Sequence, residues 1–110
     1  MMGMTQYTLD IPVIKGMSGL LFLPHDEVES YASEACIRCG RCVAVCPMGL
    51  LPNMLGIYAE LDRFEQAEKA NLMDCIECGS CSYVCPSKRP LVHLIRYAKA
   101  DVMARRKKAA

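Results

Sequence analysis

The 110-residue sequence predicts a mainly α-helical domain with two equivalent cysteine loops in a pseudo-twofold arrangement, preceded by a short extended N-terminal arm. Three observations support this fold class. All eight cysteines fall into two runs of identical spacing, the segments after both runs have helical periodicity, and the first 24 residues lack it. We therefore divide the chain into an arm at residues 1–24, which resembles the end of an upstream domain, and a cysteine-rich domain at residues 25–110.

The arm contains apolar residues without a regular helical pattern. Ile11, Val13 and Ile14, followed by Gly16 and Gly19, predict an extended segment or a strand pair. Charged residues and a proline interrupt this stretch, so we expect no transmembrane segment. No basic stretch precedes an apolar run at the N-terminus, so we expect no secretory signal and a reducing compartment for the cysteines.

Helical periodicity follows each cysteine run. Residues 50–73 repeat apolar side chains at helical spacing, with Pro52 in the first turn, and Gly56 is the position that argues against a single unbroken helix. After Pro90, residues 91–105 predict a second amphipathic helix. A weaker helical pattern at residues 28–32 precedes the first run.

The two cysteine runs form an internal repeat. Residues 36–47 read CIRCGRCVAVCP and residues 75–86 read CIECGSCSYVCP, with eight of twelve positions identical at an offset of 39. The spacing C-x2-C-x2-C-x3-C-P is that of the bacterial run that holds a [4Fe–4S] cluster, so two copies predict two clusters that transfer single electrons. Because cysteine would ligate every iron, no iron is left open for a substrate, and we predict no catalytic residue.

Each cluster is predicted to take three cysteines from one run and the fourth from the other run. Three cysteines at successive third positions let one tight loop reach three irons, whereas the loop has turned away before the fourth cysteine. The predicted ligands are Cys36, Cys39, Cys42 and Cys85 for cluster I, and Cys75, Cys78, Cys81 and Cys46 for cluster II. Gly40 and Gly79 follow the second cysteine of each run, where a missing Cβ lets backbone N–H groups approach cluster sulfurs.

Charged side chains differ between the two runs. Arg38 and Arg41 of the first run correspond to Glu77 and Ser80 of the second. A nearby cation stabilises a reduced cluster and a carboxylate opposes reduction, so we expect cluster I to have the higher potential.

Overall charge argues against nucleic acid as a partner. The formal net charge is +1 with neutral thiols, and binding two clusters would bring it to about −3. A nucleic-acid binder driven by overall charge needs the opposite sign. The sequence contains no glycine-rich nucleotide loop, so any flavin or nicotinamide site is expected outside this chain.

Three longer segments carry a family resemblance. CIRCGRCVAVCPMGLLPNML at residues 36–55, NLMDCIECGSCSYVCPSKRPLVHLIRYAK at residues 71–99 and IPVIKGMSGLLFL at residues 11–23 resemble the ferredoxin domain of the C subunit of the Rnf-type, ion-translocating ferredoxin:NAD+ oxidoreductase. The full-length protein of that family also has flavin- and NADH-binding domains. The chain is then either a C-terminal fragment or a stand-alone relative; we favour the fragment and expect FMN and NAD(H) to be bound only by the parent subunit.

The resemblance also implies a function and partners. The clusters would relay electrons between the NAD/FMN site of the parent subunit and membrane-bound partners, in a complex that couples redox chemistry to Na+ or H+ translocation. The implied partners are the other subunits of the complex and a ferredoxin-type electron carrier. The implied location is peripheral, on the cytoplasmic face of the cell membrane.

Two alternatives stay open. The chain is also compatible with an iron–sulfur subunit of another oxidoreductase, of the succinate dehydrogenase or heterodisulfide reductase type. A structural zinc or disulfide module is the third hypothesis, although zinc sites typically pair two C-x2-C units, and three cysteines at successive third positions suit a cluster better.

Overall fold

The computed structural model describes residues 10–24 and 33–109, which belong to two separate compact units. Residues 10–24 contain neither helix nor strand, only a turn in which the Met17 N–H donates to the Ile14 carbonyl at 3.0 Å. Several apolar side chains of this segment are exposed, Phe22 to 85%. The predicted strand pair is therefore not formed within residues 10–24. The predicted helix at residues 28–32 lies outside the described residues.

The unit at residues 33–109 is helical and contains no strand among its described residues, which confirms the mainly α-helical fold class. Its elements are α1 (Arg41–Ala44), α2 (Pro52–Glu60), α3 (Phe64–Lys69), a 3-10 turn (Leu72–Asp74), α4 (Ser80–Tyr83) and α5 (Leu91–Ala109). The one-turn helices α1 and α4 lie inside the two cysteine runs. Across the described ranges, none of the helices combines the length and hydropathy needed to cross a membrane.

The single helix considered for residues 50–73 is in fact three elements. Helix α2 begins at Pro52, because its ring suits the first helical position, where no N–H is needed. The chain leaves α2 just before Asp62, whose left-handed φ of 53° is incompatible with a continuing helix. Gly56 does not break the helix. It is buried where α2 meets α5, and an added Cβ would lie only 2.8 Å from Leu91 Cδ2.

The larger apolar core lies between α2, α3 and α5. Ile95, Ala98 and Val102 follow helical spacing along α5 and bury one face of this helix. The buried members of this core are Leu50, Leu55, Ala59, Phe64, Ala67, Leu72, Ile95, Ala98 and Val102. This core holds α5 in place between the segments that carry the two cysteine runs.

The sequence repeat is also present in the backbone. Helices α1 and α4 begin 39 residues apart, as do α2 and α5. Left-handed residues recur at the same offset, at Arg38 and Glu77 with φ values of 55° and 56°, and at Gly40 and Gly79 with values of 75° and 87°. The two halves therefore share their local conformation, while their pseudo-twofold arrangement stays a prediction.

Candidate metal centres

All eight cysteine side chains line two cavities. Site I is lined by Cys36, Cys39, Cys42 and Cys85, and site II by Cys75, Cys78, Cys81 and Cys46. Including their solvent-open mouths, the two cavities measure about 360 and 370 Å³, and none of the eight sulfurs forms a disulfide. The fourth cysteine of each run therefore lines the cavity of the other run. Ligation of a metal by these sets stays a prediction.

The walls of the two sites correspond position by position. Each of the twelve residues that line site I has a counterpart 39 residues away that lines site II. Site II has two further wall residues, Leu55 and Ile95, from the apolar core. The repeat thus builds two cavities from the same positions of its two units.

Gly40 and Gly79 lie in the walls immediately before α1 and α4. A Cβ built at either position meets no protein atom within 4 Å. Glycine is favoured at both positions by the left-handed φ, which L-residues with a side chain rarely adopt. Their predicted contact with cluster sulfurs stays a prediction.

Hydrogen bonds to sulfur are already present at site II. The Glu77 N–H donates to Cys75 Sγ and the Leu50 N–H donates to Cys46 Sγ, both at 3.4 Å. The Cys78 thiol donates to Ser80 Oγ at 3.5 Å, and hydrogen bonding with Ser80, whose hydroxyl can turn to donate to the thiolate, lowers the pKa of Cys78. Donors directed at sulfur stabilise thiolates and negatively charged clusters.

Burial opposes the ionisation of other thiols in both sites. It raises the pKa of Cys81 to about 11, and it also raises the pKa of Cys42 and Cys75. Metal ligation requires the thiolate form, so binding must release these protons. A cationic centre is therefore needed to keep these buried sulfurs ionised at neutral pH.

The Glu77 carboxylate forms ion pairs with two cationic side chains of α5. Its carboxylate pairs with Arg96 at 2.7 Å and with Lys99 at 3.1 Å, and Lys99 Nζ also donates to the Cys75 carbonyl at 2.5 Å. Burial raises the pKa of the Glu77 carboxyl, but the hydrogen bonds from Arg96 and Lys99 outweigh burial and hold this pKa below its usual range. Glu77 is thus neutralised locally, and its contrast with Arg38 is smaller than the sequence indicates.

Arg89 is a buried cation in the wall of site I. It is only 5% exposed and forms an ion pair with Glu60. The hydrogen bond to Glu60 raises the pKa of Arg89, and a hydrogen bond to the Cys36 thiol acts in the same direction. Sequence reasoning missed both Arg89 and Lys99, because a charged residue after a turn or on a helix normally indicates the surface. Only the packing shows that they are buried.

An apolar contact joins the two sites. Leu91, at the start of α5, lines site I and packs with Cys42 of site I and Cys81 of site II. Val43 and Val92 pack against the same group. The four thiols of site I and the four thiols of site II therefore lie next to each other.

The donor chemistry of both sites fits a four-iron cluster better than a single ion. Each site offers four thiols spread over the wall of a cavity. A helical domain with two such cavities defines the class of small iron–sulfur proteins.

Residues 28–86 match the 4Fe-4S dicluster domain family, and the chain belongs to this family. It is 54% identical over 102 residues to the C subunit of the proton-translocating ferredoxin:NAD(+) oxidoreductase complex of Clostridium ljungdahlii, covering 92% of this chain and 22% of that protein. It is 50% identical over 108 residues to the C subunit of the Na(+)-translocating ferredoxin:NAD(+) oxidoreductase complex of Acetobacterium woodii. This alignment covers 98% of this chain and 24% of that protein.

A third relative is the C subunit of the ion-translocating oxidoreductase complex of Methanosarcina acetivorans, which is 45% identical over 101 residues, covering 92% of this chain and 23% of that protein. These relatives confirm the resemblance to the Rnf-type family. The chain spans less than a quarter of the length of these three curated relatives.

Proposed function

We propose that this chain relays electrons through two [4Fe–4S] clusters within an ion-translocating ferredoxin:NAD+ oxidoreductase. The observation that carries this proposal is the division of eight thiols into two sets of four, lining two cavities with equivalent walls. When bound, the clusters supply reversible one-electron chemistry.

The protein holds, insulates and tunes these centres. Four cysteine thiolates per site would hold the irons, and cluster binding would release the protons of the buried thiols. Backbone N–H groups at Glu77 and Leu50 stabilise negative charge on the sulfurs of site II. Leu91 shares one buried apolar cluster with Cys42 and Cys81, which keeps the two sites close together, as short-range electron transfer requires.

The names of the relatives support the wider role. Because the chain covers only part of each relative, FMN and NAD(H) are assigned to a parent subunit that contains this domain. The proposed partners are other subunits of a membrane complex and a ferredoxin-type carrier, with peripheral association at the cytoplasmic face. The coupling ion is Na+ or H+, as the relatives' names indicate.

Metal analysis tests the proposal directly. The chain purified without oxygen is expected to contain about eight irons and eight sulfides, since each cluster has four of both. Dithionite should bleach its visible absorbance as the clusters are reduced. Stoichiometric zinc without sulfide would contradict the proposal and favour a structural module.

Single-cysteine variants test the crossed ligation. Cys85→Ala and Cys39→Ala should disturb the same cluster, whereas Cys46→Ala and Cys78→Ala should disturb the other. The measurement is the EPR spectrum of the intact cluster that remains in each reduced variant. If Cys85→Ala leaves the same spectrum as Cys78→Ala, each run ligates its own cluster and the crossed assignment fails.

A further inference from the structure

The two walls match in position but differ in polarity. At three equivalent positions site I is polar where site II is apolar. The site I residues are Asn53, Ser87 and Arg89, and their counterparts at an offset of 39 in site II are Val92, Met48 and Leu50. The two cavities therefore present different environments to chemically identical ligand sets.

The polar groups of site I are held close to the cavity. Ser87 and Arg89 are 6% and 5% exposed, and both line the same cavity as Cys36, a predicted ligand. Asn53 Oδ1 is buried without a hydrogen-bond partner. A half-turn of this amide exchanges its oxygen for the NH₂ group, which places an available donor at this buried position in the wall of site I.

These differences in wall polarity change how easily each centre is reduced. Each centre gains one negative charge when it takes one electron, and no bond needs to form or break. Amide donors and a cation beside the sulfurs stabilise that added charge, whereas an apolar wall does not. The cations near site II do not offset this effect fully. Arg96 and Lys99 do not line site II, and both pair with Glu77, which does. Lys99 also donates to the Cys75 carbonyl.

We propose that Asn53 and Arg89 make the centre at site I the easier of the two to reduce, so that a single electron given to the chain resides there. This inference rests on the proposed two-cluster function. It assigns both residues a positioning role, in which they tune the potential through the sulfurs without ligating iron.

Substitutions that copy one wall onto the other provide the test. Asn53→Val and Arg89→Leu give site I the residues of site II, and Val92→Asn gives site II the amide of site I. The full chain with its clusters is titrated with dithionite, and both midpoint potentials are followed by EPR. Lys108→Leu is the matched control, because it removes an exposed cation that lines neither site.

Each site I substitution should lower the upper midpoint potential. The expected change is on the order of tenfold in the ratio of reduced to oxidised centre at a fixed potential, or about 59 mV for one electron. Val92→Asn should raise the lower potential by a similar factor. Lys108→Leu should leave both potentials in place.

Several outcomes would overturn the inference. One is full iron content with an unchanged upper potential in both Asn53→Val and Arg89→Leu. Another is a shift of the lower potential in those variants. If the site I variants lose iron, Val92→Asn decides, and an unmoved lower potential then rejects the inference. A wild-type chain that binds no clusters would reject the proposed function itself.

Discussion

Lys99 lies on α5 with only 9% of its surface exposed, and it connects that helix to the second cysteine run. Its ammonium group donates to the Cys75 carbonyl and to Glu77. A single side chain thereby satisfies a backbone acceptor next to a predicted ligand and neutralises a half-buried carboxylate. Lys99 therefore stabilises the loop of the second cysteine run, in addition to any effect on the midpoint potential of the centre at site II.

Replacing this lysine should weaken the fold measurably. In Lys99→Met the Cys75 carbonyl loses its charged donor, and Glu77 keeps only Arg96. We expect the free energy of unfolding to fall by about 2 kcal/mol. Urea unfolding of the cluster-loaded protein, followed by circular dichroism, measures the change. Lys107→Met, at an exposed position of the same helix, should change it by less than about 0.5 kcal/mol. If both variants lose the same free energy of unfolding, Lys99 does not stabilise the loop.

The packing of α2 on α5 is the decisive contact between elements. It depends on Gly56, since the absence of a side chain lets α2 approach Leu91. Leu91 in turn packs between a thiol of site I and a thiol of site II. A substitution in α2 that displaces Leu91 would therefore affect both sites.

Adding volume at this contact should destabilise the protein. In Gly56→Val the new Cβ overlaps Leu91 Cδ2, and the buried leucine has little room to move. We expect a loss of about 1–3 kcal/mol from overpacking. The matched control is Ala100→Val on the exposed side of α5, where only the lower helix propensity of valine applies. Thermal melting of both variants measures the difference, and a Gly56→Val protein as stable as the control would contradict the close contact.

At the scale of the whole molecule, the helical unit combines its larger apolar core with two cavities lined by cysteines. The described core is small, and the short helices α1 and α4 have four residues each. Helices of one turn are not stable alone, so they depend on tertiary contacts. Metal–thiolate bonds between the two cysteine runs would supply such contacts.

Removing the clusters should therefore unfold part of the domain. Chelation under reducing conditions is expected to lower the melting temperature and reduce the helical circular dichroism signal, because ligand binding contributes directly to folding free energy in small metal domains. Melting curves of the cluster-loaded and metal-free chain provide the measurement. Identical curves would show that folding is independent of the centres.

Much of this architecture follows from local patterns. Helix α5 is visible as apolar periodicity, and the start of α2 is visible in Pro52. The end of α2 is not visible in the sequence, because Asp62 carries no strong signal for a left-handed conformation. As a glycine, Gly56 indicates a possible break in the helix, whereas its role in the structure is to permit close packing. A residue type reports local preference, and tertiary contacts then select among the conformations it allows.

The amino-acid sequence alone determined the chemistry of the site: the number of thiols, their spacing, the repeat at an offset of 39 and the helical class. These are properties of neighbours along the chain, which short-range geometry controls. Only the tertiary structure decided that Arg89 and Lys99 are buried, and that one site is polar where its counterpart is apolar. Those features depend on how segments far apart in the chain pack together, and no local pattern encodes that contact.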